Sequence, residues 1–261
     1  MKTCHRIALT SSLCFAVASA LGQFSPPGGA PGRSMQSPAI SKSLARLFGE
    51  NQAYSATVEM QNKASGGEAM TMPCKLAFDH GNSRFEMDLS KMQGGPGAGQ
   101  MAQMKTMGID MEKMVVISRA DKKLNYLVYP GMSAYMEMTM QDPDAGKADA
   151  DFKVEYTELG KETVEGHACV KNKAVITDKE GNKHEATVWH ATDLKQFPVR
   201  IDQTENGATM TMLFKEVTLS KPAASQFEPP ADCKKYDSQA AMMQEVIMKH
   251  MSGGAGAPPP K

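Results

Sequence analysis

Apolar residues in this chain fall repeatedly on alternate positions. Met70, Met72, Cys74, Leu76 and Phe78 do so, then Phe85, Met87 and Leu89, then Leu124, Tyr126 and Val128. Met136, Met138 and Met140 follow, and finally Met210, Met212 and Phe214. A period of two marks a half-buried antiparallel strand, because successive side chains point to opposite faces. The pattern predicts strands over about 53–62, 68–79 and 83–91, one opening at Val115, one over 124–129 and one around Met136. A second group is expected at 152–159, 167–177, 183–191, 199–205 and 208–219. His80-Gly81-Asn82, Glu180-Gly181-Asn182 and Asn206-Gly207 supply hairpin turns between them. The polar stretch 141–150 reads as a loop between the two halves.

Helical spacing occurs in three places. Ile40, Leu44, Leu47 and Phe48 follow Ser37-Pro38 and predict a short helix over 38–48, stopped at Gly49. Met101, Met104, Met107, Met111 and Met114 recur every three or four residues, which predicts a helix over 99–110 leading into a strand. A last helix is expected at 237–251, capped by Asp237 or Ser238. The expected fold is mainly β with short helices: a strongly curved antiparallel sheet, an unclosed half-barrel, with a helical lid.

The ends of the chain change the picture. Residues 1–22 read as a secretory signal, with Lys2, His5 and Arg6 ahead of an apolar run and Ala18-Ser19-Ala20 as a small-x-small cleavage pattern. The expected organisation is therefore signal peptide 1–22, disordered Pro/Gly leader 23–36, β domain 37–237, and C-terminal helix with disordered tail 238–261. A periplasmic or secreted location follows, with no transmembrane segment. The chain has 29 basic and 29 acidic residues. Removing residues 1–22 takes Lys2 and Arg6 and no acid, leaving a net charge of −2. That balance argues against a nucleic-acid partner, which calls for a basic stripe. Three cysteines remain, and Cys169 with Cys233 is the candidate disulfide, with three free thiols as the alternative.

The second half has further grammar. Lys161-Glu162-Thr163-Val164-Glu165-Gly166-His167 leads into a strand. Val188-Trp189-His190-Ala191 with Asp193-Leu194, then Phe197-Pro198-Val199-Arg200-Ile201, forms the next hairpin. Phe214-Lys215-Glu216-Val217 and Phe227-Glu228-Pro229-Pro230 close it. Over about 150–237 these segments resemble secreted bacterial proteins of the outer-membrane lipoprotein carrier superfamily, LolA-like and LppX-like, in an uncharacterised branch. The resemblance implies an unclosed half-barrel with helices as a lid and a hydrophobic cavity for acyl chains. It also makes Arg84, on a first-half strand, a candidate for the carrier's functional arginine.

Methionine is the unusual residue, at 22 of 261, while aromatics make up only 6%. Alternate strand residues share a face, so each M-x-M pair suits an adaptable apolar wall. Candidate wall residues are Met70, Met72, Leu76, Phe78, Phe85, Met87, Met136, Met138, Met140, Met210, Met212 and Phe214. Candidate lid residues are Leu44, Leu47, Phe48, Met104 and Met107. Thioethers are also soft ligands, which keeps a periplasmic Cu(I) binder as one alternative. A sensory or protein-contact module on the same fold is another.

Catalytic and metal motifs find little support. His167, Cys169, His184, His190 and Cys233 include no C-x-x-C or H-x-x-x-H spacing. No G-x-S-x-G is present, and the glycines at 94–99 do not follow the phosphate-loop pattern. The expectation is a non-enzymatic, monomeric protein without cofactor or metal. Its partner would be a hydrophobic small molecule, a lipid or a lipoprotein, and peripheral membrane contact is compatible with that role.

Overall fold

The computed structural model describes residues 42–63, 69–94, 103–106, 108–140, 151–205 and 207–253. The expected signal peptide, leader and final tail lie outside them.

A short helix α1 (Lys42–Ala45) continues as a single 3-10 turn, Arg46–Phe48. The first strand group is β1 (Ala53–Lys63), β2 (Ala69–Asp79), β3 (Asn82–Asp88), β4 (Lys113–Arg119), β5 (Leu124–Tyr129) and β6 (Ala134–Thr139). The second is β7 (Lys153–Val164), β8 (His167–Thr177), β9 (Lys183–Ala191), β10 (Phe197–Glu205) and β11 (Ala208–Thr218). A short β12 (Lys234–Tyr236) and helix α2 (Gln239–Gly253) follow. Alternation in sequence is matched by alternating burial in β1 and β3, while β7 is exposed along most of its length.

All twelve strands form one sheet in the order β12-β6-β5-β4-β3-β2-β1-β11-β10-β9-β8-β7. Neighbours are antiparallel except β12 and β6, which are parallel. β1 is the seam: it pairs with β2 on one side and β11 on the other. The chain meanders outward from β1 to β6, crosses, and meanders back from β7 to β11.

That crossing forces curvature. Ten strand spacings separate β6 from β7, about 48 Å in a flat sheet at ~4.8 Å each. The link from Thr139 to Lys153 has thirteen residues, which reach at most about 45–50 Å when fully extended. The alternation of directions also makes β6 and β7 parallel, so the link must cover a strand length as well. A flat sheet cannot satisfy this. The sheet curls, and β7 and β12 stay as open edges.

Two hydrophobic clusters form on opposite faces. The larger lies inside the curl and draws on α1, β1–β6, β8–β11 and α2. The smaller lies outside, where Ala77, Val115, Ile117, Tyr126 and Val128 surround Phe227. Phe227 belongs to the segment between β11 and β12, which straps the outer face. Its prolines stand outside the strands, as expected of residues that cannot donate to a ladder. Pro198, which does lie in a strand, sits at a break in the β9–β10 register, where a missing N–H is tolerated.

The expected disulfide does not form. Cys74, Cys169 and Cys233 are free thiols. Cys169 is on β8 and Cys233 immediately precedes β12, with nine strands between those two in the sheet order. A disulfide requires Cα atoms within about 7 Å.

Candidate ligand-binding face

Strand register lays the inner side chains in rows across the sheet. Met212, Met60 and Met72 make one row, with Met60 opposite both of the others. Phe214, Val58, Cys74, Met87 and Met114 make the next. Leu76, Phe85, Val116, Leu127 and Met136 form a third. The fourth runs Tyr54, Phe78, Ser83, Ser118, Asn125 and Met138. The inner face therefore has a methionine end and an aromatic and polar end.

Most of the expected wall residues are fully buried: Met72, Leu76, Phe78, Phe85, Met87, Met136, Met212 and Phe214 all belong to the inner cluster. Met138 and Met210 pack against its margin, and Met70 is half-buried. Met140 falls beyond the end of β6, where its backbone N–H donates to the Lys123 carbonyl at 3.0 Å. It continues the alternation in sequence but not the strand.

Three short pieces cover this wall. At the aromatic end, Leu44, Leu47 and Phe48 of the first helical segment are buried in the cluster. Phe48 stacks on Tyr54 with ring centroids 5.1 Å apart and meets Phe197 and Phe214 edge-on at 5.4 and 5.6 Å. Asn51 Nδ2 donates to the Phe48 and Lys195 carbonyls, both at 3.1 Å, which pins the segment to the β9–β10 turn. The second piece is a helical turn at 103–106 with Ile109 and Met111; of the expected helix, residues 99–102 lie outside the described residues and 108–110 are not helical, and Met104 packs on the cluster. Met107 lies outside the described residues. The third is α2, anchored by Met242 with Met243 and Val246 beside it. Its far end lies against Gly108, where an added Cβ would come 2.9 Å from His250 Nδ1. The sequence treated α2 as an appendage, yet it completes the cover.

His190 ties the first of these pieces to the sheet. Its Nε2 faces the Leu47 carbonyl at 3.4 Å, and Asn172 Nδ2 donates to its Nδ1 at 3.2 Å. Those contacts suit a neutral ring protonated on Nε2. Burial lowers its pKa, partly opposed by the Leu47 carbonyl. The unfolded chain therefore takes up a proton that the folded chain resists once pH drops below the ordinary value of 6.5. Stability should be level with respect to this group above that pH and should fall below it. Urea unfolding at pH 7.5 and pH 5 should show a smaller acid loss for His190→Gln than for the unsubstituted protein.

The outer face differs in kind. Arg84 projects here, not into the wall: its Nε donates to Glu86 at 2.8 Å and its Nη1 to the Gln226 carbonyl at 3.2 Å. That removes it as the candidate for an arginine working inside a cavity. Arg119 binds Asp121, the Phe227 carbonyl and Glu228, so it fixes the strap. A groove of about 880 Å³ opens between the strap and β1–β3, lined by Ser55, Thr57, Lys75, Glu86 and Glu216 among others. Trp189 is sandwiched between Arg200 and Lys171, 4.6 and 4.9 Å from its ring.

Among the described residues, no group of three or more His, Cys, Asp or Glu is placed to hold a metal ion. Met212, Met60 and Met72, the soft side chains of the first row, align on three adjacent strands. Among the described residues no helix is long and apolar enough to cross a membrane.

Residues 54–197 match the model of a domain of unknown function, DUF4412. The chain belongs to this family. No curated protein matches it. Solved structures similar to this DUF4412 chain include a LolA superfamily protein from Nitrosomonas europaea, at 8% identity and TM-score 0.37, covering 72% of this chain and 96% of that one. The lipoprotein LppX from Mycobacterium tuberculosis is similar at 11% identity and TM-score 0.38, covering 67% and 91%. LprF from Mycobacterium bovis is similar at 14% identity and TM-score 0.39, covering 74% and 94%.

Proposed function

We propose that this DUF4412 protein is an exported, non-enzymatic carrier that holds a hydrophobic ligand, a lipid or a lipoprotein acyl chain, against the inner face of its sheet. One observation supports this above the rest. The inner positions of β1 to β6 form an apolar wall with no Asp, Glu, Lys or Arg among them, and short pieces cover it in place of a second sheet. Covers of this size are held by a few side chains each. Displacing one exposes wall to an acyl chain, and burying that chain is favourable by about 25 cal/mol per Å². Unbranched methionine side chains re-pack around chains of different shape.

Titration with the apolar fluorophore N-phenyl-1-naphthylamine tests the reading. Saturable binding at micromolar probe is expected. Met210→Lys, at the margin of the wall, should weaken it severalfold without unfolding the protein. Absence of saturable binding, or binding indifferent to Met210→Lys, would count against the carrier role.

A further inference from the structure

The fourth row of the inner face breaks the pattern of the other three. Ser83, Ser118 and Asn125 stand directly opposite one another on β3, β4 and β5. Their exposures are 2%, 1% and 4%, so they are as buried as the core around them. Strand parity places them on the same face as Phe85, Val116 and Leu127. Ser118 Oγ and Asn125 Oδ1 have no hydrogen-bond partner, and neither does the Tyr54 hydroxyl in the same row.

Such atoms are costly. A buried polar group left unpaired destabilises the fold relative to an apolar group of the same shape. Any of the three positions could hold alanine, valine or leucine in a core of this kind. Two unpaired groups on adjacent strands, in a largely apolar wall that also carries the unpaired Tyr54 and Tyr129 hydroxyls, form a small patch that both donates and accepts hydrogen bonds.

Resting on the carrier reading, we infer that this row receives the polar end of the ligand, and that this end is uncharged: a hydroxyl or ester, as in an acylglycerol. Two features of the wall select against a charged head. No cationic or anionic side chain is available among the inner positions of β1 to β6 to pair with a carboxylate or phosphate. An unpaired charge buried beside Phe78 and Phe85 costs far more than a neutral hydroxyl. Ser118 Oγ can donate and accept, and Asn125 Oδ1 accepts. A glyceryl hydroxyl satisfies both, while an ionised carboxylate offers no proton to Asn125 Oδ1. Occupied by a head of this type, the row fixes the register of the ligand, and the chain extends toward Met60, Met72 and Met212.

The row has a second consequence that a structural role would not share. Without ligand the unpaired atoms are a liability, so removing them should not harm the empty protein. Ser118→Ala and the pair Ser118→Ala with Asn125→Leu should leave the Tm of the ligand-free protein unchanged or raise it, while weakening lipid binding.

The test displaces N-phenyl-1-naphthylamine with 1-monopalmitoylglycerol or with palmitate at pH 8, where palmitate is ionised. For the unsubstituted protein the monoglyceride should bind at least tenfold more tightly than palmitate. The double variant should lose most of that ratio while still binding the naphthylamine saturably, so that both lipids can be read against it. Ser118→Ala alone, the smaller change, should lose part of it and serves if the double variant folds poorly. Equal affinities for the two lipids would overturn the inference, as would a variant whose Tm falls while its lipid preference is kept. Failure of the naphthylamine to bind the unsubstituted protein would overturn the carrier reading itself, a result separate from either.

Discussion

Phe48→Ala should lower the folding stability of this protein by about 3–5 kcal/mol, the usual range for truncating a fully buried phenylalanine. The side chain is 2% exposed and touches three other aromatic rings. Those rings come from β1, β10 and β11, the seam where the two meanders join. The void would therefore open at the junction of the halves, where Tyr54, Phe197 and Phe214 are held by strands and cannot collapse into it. Urea unfolding measures the loss. The same substitution should speed the association of N-phenyl-1-naphthylamine below the variant's own Tm, because it loosens the cover over the aromatic end. A stability change under 1 kcal/mol would show that the first helical segment does not plug the sheet.

Phe227→Ala should cost about 3 kcal/mol or more, on the same cavity argument. It is the one strap residue buried in the outer cluster, against Ala77, Val115, Ile117, Tyr126 and Val128. Arg119 holds the strap's Phe227 carbonyl and Glu228, but Glu228 is 43% exposed, so that part of the anchor is solvent-screened and contributes little alone. The strap leads directly into β12 and α2, so its release should loosen both. Hydrogen exchange should quicken across 219–253 while β1 and β2 keep their protection. Uniform quickening would instead mean that the outer cluster supports the whole sheet.

The period-two pattern made strands such as β1 and β3 legible because one face is buried and the other half-exposed, whereas β4 and β5 bury both faces and β7 is largely exposed. Register amplified it: Met60, Met72 and Met212 lie far apart in sequence and side by side in space, and only the strand order reveals that. Three elements were not legible. β12 is a three-residue edge strand with too short a run to show alternation. The strap looked like a proline-rich exit because its contribution is one phenylalanine. The polar row emerges only from the strand register, which sets Ser83, Ser118 and Asn125 opposite one another on the inner face. The sequence singles out none of the three, because the apolar run Leu124, Tyr126 and Val128 points to the other face of β5 and nothing in the local pattern says that a strand end is buried. The disulfide expectation failed for a related reason, because cysteine spacing carries no information about strand order.

The most direct measurement is native mass spectrometry of the protein purified from the periplasm of a cell that exports it, with organic extraction of whatever is released. A carrier should arrive with a lipid-sized mass that extracts into solvent and is lost on delipidation, and the emptied protein should take up 1-monopalmitoylglycerol. A bare mass that ignores lipid would contradict the carrier role, and all the more so if it takes up Cu(I) at fixed stoichiometry through Met60, Met72 and Met212.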